Sequence, residues 1–176
     1  MPDNEDLRRL IEACKAGEAS AYDRLVDLYG ARCYGYFFRL SGCRTTSDDL
    51  LGDLFVKLVE KLGTFSGEHF DKWIFTVASN LFRDYLRSRY RRQKVLEEKA
   101  VQLAQLQTGD DGENPMLDKL QEKLGRLDAE TAEIIMLRFY GQLSFREMSE
   151  IRGEPIGTTL SKLHRGLKKL REMMES

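Results

Sequence analysis

Thr158, Ser161, Lys162, Arg165 and Lys169 recur along the polar side of the stretch from Ile156 to Leu170. These are side chains that bond phosphate oxygens and base edges when a helix enters a major groove. Opposite them, Ile156, Leu160, Leu163, Leu167 and Leu170 fall at i, i+4, i+7, i+11 and i+14, which predicts a helix with one apolar stripe turned toward the protein. A charged helical face standing alone is as often merely solvated. The residues before it argue for more. Ser144 and Glu147 have the spacing of a capping box and open a helix that Arg152, Gly153, Glu154 and Pro155 end. A capped helix, a tight turn and a basic second helix, in that order, predict a helix-turn-helix and point to duplex DNA.

A second basic concentration lies in mid-chain. Asn80, Arg83, Asp84, Arg87 and Arg91 fall at i, i+3, i+4, i+7 and i+11, and Arg89, Arg92 and Lys94 extend the charge past the expected helix end. Arginines interleaved with Tyr85 and Tyr90 suit a nucleic-acid backbone, and an aromatic or amide group near the helix start can stack on or bond an extruded base. An arginine-rich helix can also be no more than soluble, and Trp73 and Phe70 by themselves read as core.

The elements that must position these groups are helical. Phe70, Trp73, Ile74, Val77, Ala78, Leu81, Phe82, Tyr85 and Leu86 write the buried stripe of the arginine-rich helix, and Leu50, Leu51, Leu54, Phe55, Leu58, Val59 and Leu62 that of the helix before it. The exposed side of that preceding helix carries Asp48, Asp49, Asp53 and Lys57, and the acids at its start suit the helix dipole. Gly63 to His69 forms a short turn-rich loop between the two. An earlier helix is written by Tyr22, Leu25, Val26, Tyr29, Cys33, Tyr36, Phe37 and Leu40. Alternation at period two is nearly absent, so the fold class is all-α. The segment TGDDGENP breaks helical periodicity. It divides the chain into two small helical domains, residues 1–95 and 116–176, joined by a flexible acidic linker, residues 96–115.

In order and spacing, DDLLGDLFVKL, FDKWIFTVASNLFRDYLRSRYRR and LRFYGQLSFREMSEIRGEPIGTTLSKLHRGLKKL resemble the bacterial sigma-70 family, in its small extracytoplasmic-function (ECF) type with two conserved domains. The resemblance covers nearly the whole chain. It implies an RNA polymerase sigma factor that binds the polymerase core at the clamp coiled coil and flap, recognises promoter DNA and opens its strands. Asp49, Asp53, Phe55 and Lys57 would then lie on the core-binding helix. Phe65, His69, Trp73 and Asn80 would melt the minus-ten element and hold a flipped base, with Arg83, Arg87, Arg91 and Arg92 on the backbone. Flipping costs a few kcal/mol of lost stacking, so both a pocket and a cationic track are needed. Thr158, Thr159, Ser161, Lys162, Arg165 and Lys169 would read the minus-thirty-five element. The resemblance also admits an anti-sigma factor as a partner. Gly52 stands where the family often has Gln, at about 1 kcal/mol of helix propensity.

Composition agrees, with a twist. A net charge of -1 on 176 residues is unusual for a free-standing DNA binder. The charge is segregated instead, with acids in the N-terminal MPDNED, at Asp48, Asp49 and Asp53, and at Glu97, Glu98, Asp110, Asp111 and Glu113. The isolated chain is therefore expected to bind promoter DNA weakly, gaining affinity when polymerase supplies phosphate contacts. The acidic linker is either a nucleic-acid mimic in the polymerase's RNA path, as the resemblance implies, or a solvated tether. No apolar run approaches the roughly 20 residues that span a bilayer, and no signal-peptide pattern opens the chain, so membrane insertion is not expected and the location is cytoplasmic. Cys14, Cys33 and Cys43 lack paired spacing, which argues against a disulfide framework or a metal site; Cys33 reads as core and Cys43 as an exposed thiol. With His69 and His164 the only histidines, no nucleophile or cofactor motif supports an enzyme. An ordinary helix-turn-helix regulator remains the alternative. It leaves the Arg83 to Arg92 face and the Asp49 to Lys57 helix without a purpose.

Overall fold

The computed structural model describes residues 4–67, 69–98 and 115–176, all in helices and short connections. Eight α-helices follow one another among them: α1 (Asn4–Lys15), α2 (Ala19–Ser41), α3 (Arg44–Lys61), α4 (Phe70–Glu98), α5 (Pro115–Leu124), α6 (Ala129–Phe139), α7 (Phe145–Arg152) and α8 (Ile156–Glu175). A single 3-10 turn, Leu62–Thr64, leads from α3 into the loop before α4. The central part of the expected linker, with Asp110, Asp111 and Glu113, lies outside the described residues. Its start does not: α4 continues to Glu98, so Arg89, Arg92 and Lys94 sit on the helix rather than past its end.

Helices α1 to α4 form the N-terminal bundle, with α2 packed on α1 and α3, and α3 on α4. Its core is aromatic-rich. Tyr29, Cys33, Tyr36 and Phe37 of α2, Leu54 and Leu58 of α3, and Phe70, Ile74 and Phe75 of α4 are almost fully buried. Full burial of one such side chain contributes about 1.5–3 kcal/mol. Burial also pushes the Cys33 thiol up to about 12, as befits a core residue. Cys43 precedes α3 and is half-buried, with its thiol held below the ordinary range by hydrogen bonds from Thr46.

The C-terminal domain is built on α6, against which α7 and α8 pack. Asp128 starts α6 by accepting the Thr131 N–H at 2.9 Å. Every residue from Ala132 to Leu137 is buried, which one face of a helix cannot provide. The reason is that α6 is covered from two sides, by α8 of its own domain and by α2 of the other. Helix α5 likewise touches both α8 and α2, and α7 touches α4. The two domains therefore share a contact surface.

Candidate nucleic-acid interface

The expected capping box is present at the start of α7. Ser144 Oγ accepts the Glu147 N–H at 3.2 Å, and Glu147 Oε2 accepts the Ser144 N–H at 2.8 Å. Arg152 still belongs to the helix, and Gly153, at φ 64°, turns the chain in the left-handed region before Glu154 and Pro155 lead into α8.

The inward face of α8 differs from the expected leucine stripe. Thr159, Leu163 and Gly166 are buried, while Ile156, Leu160 and Leu167 each remain 47 % exposed. The helix is rotated because Gly166 lets α6 come close: a Cβ there would meet Thr131 Cγ2 at 2.3 Å. The rotation divides the expected DNA-reading residues. Thr158, Ser161, Arg165 and Lys169 are exposed, with Arg165 Nε donating to the Ser161 carbonyl at 3.3 Å. Thr159 is turned inward and donates its hydroxyl to Glu154 Oε1 at 2.9 Å. Lys162 is partly covered, pairing with Glu130 and Glu154 at 2.7 Å each, and these hydrogen bonds raise its pKa.

On the second basic surface, Asn80, Arg87, Arg91 and Arg92 of α4 are exposed, as is His69 before it. Trp73 is half-buried, and its ring centroid lies 5.5 Å from those of both Phe65 and Phe70. Phe65 itself is buried. Its ring closes one side of a cleft of about 350 Å³ between α1 and the loop, lined also by Leu7, Arg8, Ile11 and Lys15. Nothing in the sequence pattern announced the contribution of α1.

Arg83 departs furthest from expectation. Its guanidinium forks onto Glu133 of α6, Nη2 to Oε1 at 3.2 Å and Nε to Oε2 at 3.4 Å, and Nη2 also donates to the Ile151 carbonyl at 3.2 Å. Glu133 is buried. It also receives the Ser79 hydroxyl, the Tyr36 hydroxyl at 3.5 Å and the Arg152 guanidinium. Burial foremost, and then the Glu133 charge, raise the Tyr36 pKa, so its phenol keeps the proton it donates. This cluster joins α2 and α4 to α6 and α7, and a carboxylate so enclosed is tolerable only because two guanidiniums and two hydroxyls surround it.

Helix α3 presents Asp49 and Asp53 to solvent, with Phe55 and Lys57 half-buried. Val59, expected in the core stripe, is 57 % exposed, and Val56 beside it 58 %. The surface of α3 is thus an apolar strip edged by carboxylates. Gly52 lies open on it, with no atom near the position of a Cβ. Such a face suits a protein partner better than nucleic acid, since carboxylates repel phosphate.

Sigma-70 region 2 matches residues 25–92 and Sigma-70 region 4 matches residues 117–170. The chain is similar to the ECF RNA polymerase sigma factor BldN of Streptomyces coelicolor, 27 % identical over 98 % of this chain and 67 % of that protein. It is similar to SigW of Bacillus subtilis, 24 % identical over 96 % of each. The ECF sigma-E factor of Haemophilus influenzae is 28 % identical over 95 % of this chain and 92 % of its own. The fold resembles that of RpoE from Bartonella quintana, solved with the anti-sigma factor NepR, at a TM-score of 0.73 and 23 % identity, covering 88 % of this chain and 96 % of that one. It also resembles CnrH, solved with the cytosolic domain of CnrY, at a TM-score of 0.70 and 24 % identity over 96 % of each chain. With both conserved regions in place on the two domains that carry the exposed basic faces, the chain belongs to the sigma-70 family, as an RNA polymerase sigma factor of the ECF type.

Proposed function

We propose that this sigma factor starts transcription through three separate surfaces. The exposed side of α8, with Thr158, Ser161, Arg165 and Lys169, reads the minus-thirty-five element as duplex in the major groove. Thr159 and Lys162 serve that helix from below, Thr159 by fixing Glu154 and Lys162 by tying α8 to Glu130. The α4 surface, with Asn80, Arg87, Arg91 and Arg92, follows the backbone of the melted minus-ten strand, and Arg83 joins it once released from Glu133. The cleft lined by Phe65 and Phe70, with Trp73 packed behind them, takes an extruded base, its aromatic walls offsetting part of the stacking lost on flipping. Helix α3, through Asp49, Asp53 and the exposed Val56, docks on the clamp coiled coil of polymerase, while the C-terminal domain meets the flap.

The observation that carries this reading is the separation of roles by surface: two basic faces on two domains, and an acidic-apolar face on a third side. An operator-binding regulator acting alone has no use for the α3 face. An anti-sigma factor, the kind of partner solved with the Bartonella neighbour, fits the same reading, as does a cytoplasmic location beside polymerase and chromosome. Among the described residues no helix is long and apolar enough to cross a membrane. The test is direct. Purified chain added to sigma-free core polymerase should yield transcripts starting at a defined distance from matched promoter elements. Transcription no different from core alone on every promoter of the source genome would remove the proposal.

A further inference from the structure

The basic surface around α4 does not lie open along its whole length. Three of its groups meet carboxylates of the C-terminal domain: His69 Nδ1 lies 3.5 Å from Glu147, Lys72 pairs with Glu150, and Arg83 forks onto Glu133. A guanidinium recognises carboxylate and phosphate through the same planar fork of N–H donors. While Arg83 holds Glu133, that fork cannot hold a phosphate. We propose that Glu133 is an internal stand-in for a DNA phosphate, latching the two domains into a closed form that cannot grip the melted strand. DNA and Glu133 compete for Arg83, so opening the latch exposes the strand-binding track. The inference rests on the assignment of Arg83 to the DNA backbone made above.

The contact has the marks of a surface built to part. Among its apolar residues it encloses the charged cluster on Glu133, and the desolvation of buried ions largely offsets their attraction. Arg152 Nε is buried there without a hydrogen-bond partner, which weakens the closed form further. Around the latch, Arg32 Nε donates to the Tyr140 carbonyl at 2.8 Å and Arg32 Nη2 to the Gly141 carbonyl at 3.0 Å. Arg39 Nη1 reaches Gln121 Oε1 at 3.2 Å, and Gln121 Nε2 donates to the Arg39 carbonyl at 3.1 Å. Polar contacts of this kind typify interfaces between domains that move. A tight fit lies beside them at Gly35, where a Cβ would meet Tyr140 Cε1 at 2.3 Å.

The test compares the full chain with Glu133→Ala, Gly35→Val and Glu133→Ala/Arg83→Ala. X-ray scattering gives the radius of gyration, and anisotropy of a labelled single-stranded minus-ten oligonucleotide at one salt concentration gives the affinity. The wild-type chain should be compact, near 16 Å. Glu133→Ala and Gly35→Val should both expand it and bind the oligonucleotide about tenfold tighter, as expected if a closed form had left about a tenth of the molecules competent. The double variant should stay expanded and lose the gain. Circular dichroism checks that each variant keeps its helices, and Gly35→Val, which keeps Glu133, decides the matter if Glu133→Ala unfolds. An extended wild-type chain, an unchanged radius in the folded variants, or expansion without tighter binding each overturns the latch. Arg83→Ala alone, assayed for promoter opening with core polymerase, separates the two ideas. If opening is unimpaired the backbone assignment of Arg83 falls and takes the latch with it, whereas impaired opening with an unchanged radius sinks the latch alone.

Discussion

Gly166 of α8 rests directly against Thr131 of α6: a Cβ at Gly166 would stand 2.3 Å from Thr131 Cγ2 and 3.2 Å from Ile135 Cδ1. That contact fixes how far α8 is rotated and therefore which of its side chains face outward. Gly166→Val should force the helices apart at a cost of about 1–3 kcal/mol, less the roughly half a kcal/mol that valine recovers in helix propensity. Gly157 lies on the same helix with no atom near its Cβ position, so Gly157→Ala should melt at or above the wild-type temperature. Urea denaturation of both variants checks the contrast, and a Gly166→Val chain as stable as wild type would contradict it.

The helix-turn-helix was legible because its signals are local: Ser144 with Glu147 three residues on, then Gly153 and Pro155. The rotation of α8 was not. Its leucines recur at helical spacing, yet Leu160 and Leu167 are left half outside because the closest approach to α6 uses a threonine and a glycine. Periodicity counts apolar residues and is blind to a small residue chosen for proximity. Glu133 was invisible for another reason. Its partners Tyr36, Ser79 and Arg83 lie 97, 54 and 50 residues away, and no pattern within one helix reports a cluster assembled from four. The same holds for Arg83, which belongs to the basic face by spacing and to the domain contact by geometry. Val59 reads as core by its type, and only packing shows that α3 turns it outward.

Asp128 caps α6 through the Thr131 N–H at 2.9 Å. Burial disfavours its charge, but the hydrogen bonds from Thr131 outweigh that and hold the carboxyl below the usual carboxylate range. A depressed folded-state pKa contributes stability above the unfolded value, which is lost as pH falls through the folded one. Asp128→Ala should therefore lower stability near neutral pH by about 1 kcal/mol, with the difference from wild type shrinking as pH falls below the ordinary aspartate value of about 3.9. Asp128→Asn, which caps without titrating, should remove the pH dependence while keeping most of the stability. Thermal melts of the three chains across acid pH decide it, and a gap that widens toward low pH would exclude the cap as its source.

Asp53 and Val56 stand on the exposed side of α3, one turn apart and away from the core. Surface substitutions of this kind change stability by no more than about 0.5 kcal/mol. Asp53→Arg and Val56→Glu should accordingly melt like the wild-type chain yet bind core polymerase more weakly, Asp53→Arg with a greater dependence on salt. Equilibrium titration of labelled chain with core polymerase measures the loss. Affinity unchanged in both variants would take α3 out of the polymerase interface.

Arg165 and Thr159 lie on one helix but face opposite ways, and they should fail differently. Arg165 is exposed, and if it forks onto a guanine edge, Arg165→Ala costs about 1–3 kcal/mol of discrimination at one position of the minus-thirty-five element. Its folding stability should not change. Thr159 is buried and donates its hydroxyl to Glu154. Thr159→Val keeps the shape, loses that hydrogen bond at about 1 kcal/mol of stability, and should leave base preference untouched. Binding of each variant with core polymerase to promoters carrying single base changes, set beside thermal melts, separates reading from support. A shift in base preference on replacing Thr159 would mean that α8 turns when it meets DNA, for only then can a side chain fixed beneath the helix reach the groove.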